Sequence, residues 1–124
     1  MLTAKDIMTT NVVTIDPEAT VAEALDRIRK VGLRCLIVEK RSATDSYGIV
    51  TQRDMAYKVL AEGLDPNQIR VRDIMTRPLV SVTEEMSVQD VARLMKLTGL
   101  SRLPVIYGGA LQGIVSVSDI IAAA

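Results

Sequence analysis

Apolar positions along the chain change period several times, and each change marks an element. The run VVTI at 12–15 alternates weakly and predicts a short strand. In TVAEALDRIRKVG, Val21, Ala24, Leu25 and Ile28 fall on one face at helical spacing. Thr20 stands where an N-cap belongs, Glu23 three residues on completes a capping box, and Gly32 suits the C-terminal cap. CLIV at 35–38 is continuously apolar and predicts a buried strand. The polar stretch EKRSATDS predicts a wide hairpin loop, and YGIV at 47–50 a third strand that runs straight into a helix over 51–62.

The same order then returns. With an offset of 67, Asp6-Ile7-Met8-Thr9 recurs as Asp73-Ile74-Met75-Thr76. Val13, Glu18, Val21, Gly32, Leu33, Leu36 and Val38 recur as Val80, Glu85, Val88, Gly99, Leu100, Leu103 and Val105. The offset drops to 65 for Gly48, Ile49, Val50 and Asp54, which recur as Gly113, Ile114, Val115 and Asp119; a slip of that kind belongs in a loop. The second copy predicts strands LVSV (79–82), RLPVI (102–106) and LQGIV (111–115), and a helix capped by Ser87 with Asp90. Its hairpin is tight, since Gly108-Gly109 accepts the positive φ of a two-residue turn. Asp65-Pro66-Asn67-Gln68 links the copies and predicts a short turn or helix.

The expected fold class is therefore α/β (α+β), built from two β-α-β-β-α repeats, 1–64 and 65–124. Roughly 60 residues bury too little surface to close a core alone, so the repeats are expected to pack sheet to sheet with pseudo-twofold symmetry as one module.

Composition removes several function classes. Lys+Arg and Asp+Glu both number 15, so the basic surplus of a general nucleic-acid binder is absent. There is no histidine and only one cysteine, Cys35, which removes the commonest general base, a zinc site and a Cys–His nucleophile. The chain is expected not to be an enzyme and to need no catalytic cofactor. No apolar run reaches the roughly 18–20 residues that span a bilayer, and MLTAKDIMTTNVV lacks the apolar core of a signal peptide. With one thiol and no internal disulfide, a cytoplasmic setting is expected. Cys35 itself reads as a small buried hydrophobe, and Met8 and Met75 as core filler.

The candidate chemistry lies in GIVTQRD (48–54) and GIVSVSD (113–119). Thr51-x-x-Asp54 and Ser116-x-x-Asp119 are both capping boxes, and one reading stops there. The other reading adds a ligand. A strand turning directly into a helix presents free N–H groups and the positive dipole end, which favour an anion. The aspartate can accept two hydrogen bonds from a ribose diol while the hydroxyl faces a phosphate. The same atoms can serve both roles.

The order of DIMT, strand, [ST]VxE/D helix, Gly-Leu, LPVI and G-I-V-[ST]-x-x-D resembles the tandem cystathionine-β-synthase (CBS) domain pair over nearly the whole chain. The resemblance implies a stand-alone regulatory module that binds an adenosine derivative (AMP, ADP, ATP or S-adenosylmethionine) in the cleft between its repeats. It implies one site with Asp54 on the ribose and Thr51 near the phosphates, Arg77, Pro78 and Leu79 along the adenine, and Ser101 and Arg102 approaching the phosphates. It implies a second with Asp119, Ser116 and Ser118, with Thr10, Asn11 and Val12 along the base and Arg34 near the phosphates. The second copy carries the family's proline in Leu103-Pro104-Val105, where the first has Ile37. Cys35 stands in the place of Arg102, so the Asp54/Arg102 site is expected to grip phosphate more strongly.

The sequence shows no effector domain, so output is expected through a partner protein or through assembly. Met55/Val59/Leu60, Ile120/Ile121 and the tail IIAAA are apolar enough to predict a homodimer through the terminal helices. A dimerisation or interaction module with vestigial ligand sites is the competing reading. The cluster Arg70, Arg72 and Arg77 reads as a solvated face.

Overall fold

A computed structural model describes residues 1–77 and 80–124. Its first copy runs α1 (Ala4–Ile7), β1 (Thr14–Ile15), α2 (Val21–Val31), β2 (Cys35–Val38), β3 (Gly48–Thr51) and α3 (Gln52–Met55), the predicted β-α-β-β-α order preceded by a short helix that the sequence pattern did not predict. The second copy supplies α4 (Val71–Ile74), α5 (Val88–Thr98), β4 (Arg102–Tyr107), β5 (Ala110–Ser116) and α6 (Val117–Ala123). The fold is mixed α/β with two small sheets, β1-β2-β3 and β4-β5. Pro78 and Leu79, which the resemblance sets along the adenine, lie outside the described residues.

Local sequence accounts for the long helices. Thr20 accepts from the Glu23 N–H and Ser87 from the Asp90 N–H, and each helix ends on a left-handed glycine, Gly32 and Gly99. These contacts satisfy backbone groups that a helix end leaves unpaired. The linker is a turn, with the Gln68 N–H donating to Asp65 C=O at 2.9 Å. Three predicted elements differ in form. Of the 79–82 strand, only Val82 pairs among the described residues, as an isolated parallel bridge to Val105. The 12–15 strand is reduced to Thr14–Ile15, paired in parallel with Ile37 and Val38, because Val12 N–H turns back onto Thr10 C=O at 2.9 Å. The 51–62 helix leaves α geometry after Met55 and runs as a π-helical turn over Ala56–Leu60, with Ala61 N–H donating to Ala56 C=O at 2.8 Å.

The chain packs as two compact units, and these cut across the sequence repeats. One unit is Val13–Leu79; the other joins Met1–Val12 to Val80–Ala124. The leading segment of each copy thus packs on the core of the other. In the first unit, Thr76 N–H donates to Ile49 C=O at 2.9 Å and Ile49 N–H to Thr76 C=O at 3.2 Å. In the second unit, Thr9 and Ile114 exchange the same pair at 2.8 and 2.9 Å. The first core gathers Ile15, Val21, Ile28, Leu36, Val50, Met55, Val59, Val71 and Ile74, with Met75 against it. The second gathers Ala4, Val82, Val91, Met95, Leu103, Val105 and Val115, with Met8 against it.

The core also corrects one expectation. Met55 and Val59 belong to the first core and are buried, so they offer no face to a second copy. Burying each whole apolar side chain contributes about 1.5–3 kcal/mol, which their helix spends inside the unit. Tyr57 and Leu60 are exposed on that helix, as is Ile121 on α6, while Ile120 packs partly on the second core. Among the described residues, no helix is long and apolar enough to cross a membrane.

Candidate functional site

Both GIV-[ST]-x-x-D copies form a strand-to-helix junction, and each junction is built by the same contacts. In the first unit, β3 pairs antiparallel with β2, with Thr51 opposite Cys35, and Gln52 N–H donates to Arg34 C=O at 3.0 Å. Thr51 Oγ1 accepts from Asp54 N–H at 3.1 Å. Asp54 Oδ2 accepts from Thr51 N–H at 2.9 Å and from Thr51 Oγ1 at 3.0 Å. In the second unit, Ser116 lies opposite Arg102, and Val117 N–H donates to Ser101 C=O at 3.0 Å. Ser116 Oγ accepts from Asp119 N–H at 3.2 Å, and Asp119 Oδ2 accepts from Ser116 N–H at 2.8 Å and Oγ at 3.0 Å. The capping boxes predicted from sequence are therefore both closed.

The glycine that opens each motif has its own cause. A Cβ on Gly113 would lie 2.7 Å from Thr9 C=O and 2.9 Å from Met8 Sδ. A Cβ on Gly48 would lie 3.1 Å from Met75 Sδ and 3.2 Å from Thr76 C=O. Neither glycine has a positive φ. Close approach of the exchanged DIMT segment, not a turn, demands the missing side chain.

The predicted site residues divide between the units. Thr51, Asp54, Arg34 and Arg77 belong to the first; Thr10, Asn11, Val12, Ser101, Arg102, Ser116, Ser118 and Asp119 belong to the second. Within the second unit, Arg102 and Ser101 meet the Ser116 junction, and Arg102 donates to Ser101 Oγ at 3.3 Å. Thr10 to Val12 follow Thr9, which bridges Ile114 of β5, and turn back where Val12 N–H donates to Thr10 C=O. Within the first unit, Arg34 touches the Thr51 junction through its backbone and its side chain is exposed.

Arg77 points its guanidinium elsewhere. It pairs with Asp45 of the β2–β3 loop and donates to Glu39 C=O at 3.1 Å, while its Nε is buried with no partner among the described residues. Asp45 also accepts from the Arg41 N–H, and a second carboxylate oxygen accepts from Ser46 N–H. Together these donors, the Arg41 backbone first, hold the Asp45 carboxyl below its ordinary value of 3.8. A surface cavity of about 590 Å³ opens beside these residues, lined also by Arg72, Asp73 and Met75, but neither Thr51 nor Asp54 lines it. Its arginines are already occupied: Arg41 and Arg72 share Glu18, and the pair raises the Arg72 pKa above its usual value. Arg70 donates to Glu18 C=O at 2.7 Å, so it too is held by this residue.

One residue at the first junction was missed in the sequence. Lys58 Nζ lies 3.1 Å from Asp54 Oδ1 and donates to Ile74 C=O at 2.9 Å. Its signal was present as an acidic–basic pair four residues apart on a helix, which brings the two side chains together. The second copy has Ala123 at that position. Among the described residues, no group of three or more His, Cys, Asp or Glu could hold a metal ion.

Known proteins share this fold. The CBS domain family model matches twice, at residues 4–61 and 71–124. The hexameric CBS-CP12 protein from bloom-forming cyanobacteria is 52% identical, with a TM-score of 0.94 over 98% of this chain and 70% of its own. The CBS domain-containing protein YhcV of Bacillus subtilis is 33% identical over 97% of this chain and 84% of its own length. A protein of Methanopyrus kandleri is 34% identical over 90% of this chain, which spans 57% of that longer relative. Two family matches, in the order that the duplicated junctions require, place the chain in the CBS domain family as a tandem CBS pair.

Proposed function

We propose that this CBS pair is a non-catalytic regulatory module that binds an adenosine derivative (AMP, ADP, ATP or S-adenosylmethionine) and adjusts a partner protein in response. The observation that carries the reading is the Asp119 junction. There a capped, half-buried carboxylate, a hydroxyl and Arg102 lie together at a helix start, with Thr10 to Val12 following the Thr9 bridge to the same strand. A carboxylate suits the two O–H donors of ribose, and an arginine suits a phosphate. The Asp54 junction, with Thr51, supplies the second half-site. A cytoplasmic setting and homo-oligomeric assembly through the exposed helix residues belong to the same proposal.

A thermal-shift panel tests it. Ligand at about 100 times Kd should stabilise the protein by roughly 2.7 kcal/mol. Stabilisation by at least one of AMP, ADP, ATP, S-adenosylmethionine or NAD, lost in Asp119→Ala, is the expected result. No shift with any of the five would replace the reading with an interaction module whose sites are vestigial.

A further inference from the structure

Asp54 and Asp119 are equivalent in sequence but not in surroundings. An ionised carboxylate has about four acceptor positions, two on each oxygen. In both junctions Oδ2 uses two of them on the N–H and hydroxyl of its own capping residue. Only Oδ1 is left for a ligand.

At Asp54, Oδ1 faces the Lys58 ammonium at 3.1 Å. The ammonium is anchored a second time on Ile74 C=O at 2.9 Å, so it is held between α4 and the junction. At Asp119 the corresponding residue is Ala123, and Oδ1 has no hydrogen bond or ion pair among the described residues. A cis-diol brings two O–H donors. Asp119 Oδ1 can accept both, whereas Asp54 Oδ1 can accept one while Lys58 stays. The lysine also neutralises the carboxylate, and hydrogen bonds to a neutralised acceptor lose part of their charge assistance.

We propose that Lys58 is a specificity-determining residue that makes the two half-sites unequal: Asp119 reads the ribose diol, and Asp54 reads it poorly until Lys58 is removed. This rests on the adenosine-binding reading above. It concerns the sugar, and leaves the phosphate preference of the Arg102 side as a separate question. Lys58 is half exposed, so its removal leaves no cavity in the core, and the Thr51–Asp54 cap does not involve it.

Calorimetric titration of the whole chain with adenosine, 2′-deoxyadenosine and 3′-deoxyadenosine tests the assignment, because none of these carries a phosphate. The wild type should prefer adenosine over either deoxy analogue by about tenfold, the worth of one good hydrogen bond. Asp54→Asn should keep that preference and Asp119→Asn should lose it. Adding Lys58→Met to Asp119→Asn should restore it, by about tenfold. Preference kept in Asp119→Asn and lost in Asp54→Asn overturns the inference, as does a double variant that stays indifferent to the diol. Wild type that binds adenosine without telling it from the deoxy analogues also overturns it while leaving the adenosine reading intact. Wild type that binds no adenosine removes both.

Discussion

Gly113→Ala isolates the contact that holds the exchanged N-terminal segment on its unit. Gly113 has no positive φ, so alanine meets no backbone strain of its own, and all of the cost is steric. The new methyl would stand 2.7 Å from Thr9 C=O and 2.9 and 3.1 Å from Met8 Sδ and Cγ. Met8 can swing its flexible end away, but the Thr9 oxygen cannot move freely, because it accepts from Ile114 N–H at 2.9 Å. Relief therefore requires displacement of the 3–9 segment and loosening of that bridge. Overpacking of this kind costs about 1–3 kcal/mol, and a weakened hydrogen bond adds up to about 1 kcal/mol. Reduced entropy of the unfolded chain returns about 0.4–1 kcal/mol. The net expectation is about 1–3 kcal/mol of destabilisation. At about 4 °C per kcal/mol for a chain of this size, Tm falls by about 4–12 °C. Urea unfolding of Gly113→Ala, Gly48→Ala and the wild type measures it. Gly48→Ala should be milder, since its nearest contacts are 3.1 and 3.2 Å. A Gly113→Ala protein within about 0.5 kcal/mol of wild type, or one more stable than Gly48→Ala, would refute the steric argument.

Two further perturbations probe the first unit. Met55→Ala removes a fully buried side chain next to the Asp54 cap and should cost about 2–5 kcal/mol by chemical denaturation; a loss below about 1 kcal/mol would mean that the site collapses without a cavity. Asp45→Asn tests the anchoring of Arg77. The folded carboxyl of Asp45 sits below 3.8, so its stabilising contribution is complete above that value and is lost as pH falls through the lower folded value. The stability difference between wild type and Asp45→Asn should thus be constant from neutral pH down to about pH 4–5 and shrink below it. A difference that instead grows on acidification would contradict the assignment.

The parts of this protein that were legible in the sequence are those stabilised by near neighbours. Thr20 with Glu23, Ser87 with Asp90, Thr51 with Asp54 and Ser116 with Asp119 are all three residues apart, so the chain alone shows which groups will meet. The paired strands 35–38 with 48–51 were legible for the same reason, being apolar runs on either side of a polar loop. Lys58 was readable as a pair four residues from Asp54, but the sequence did not reveal its second anchor at Ile74. The π-helical turn after Met55 had no marker in the hydrophobic pattern, because one shifted hydrogen bond leaves the buried residues Met55 and Val59 on nearly the same face.

The sequence by itself determined the repeat, the order of its elements and the two capped aspartates, since duplication and short-range hydrogen bonding are written in residue order. Only the tertiary structure decided which core each DIMT segment joins. Thr9 pairs with Ile114, and nothing local to either residue specifies a partner so distant in the chain. It also decided what the motif glycines are for, because a backbone oxygen 2.7 Å from an absent Cβ exists only once that segment has docked. Finally, it separated two aspartates that the repeat makes equivalent: a lysine held by a carbonyl from another element covers one, and an alanine leaves the other open.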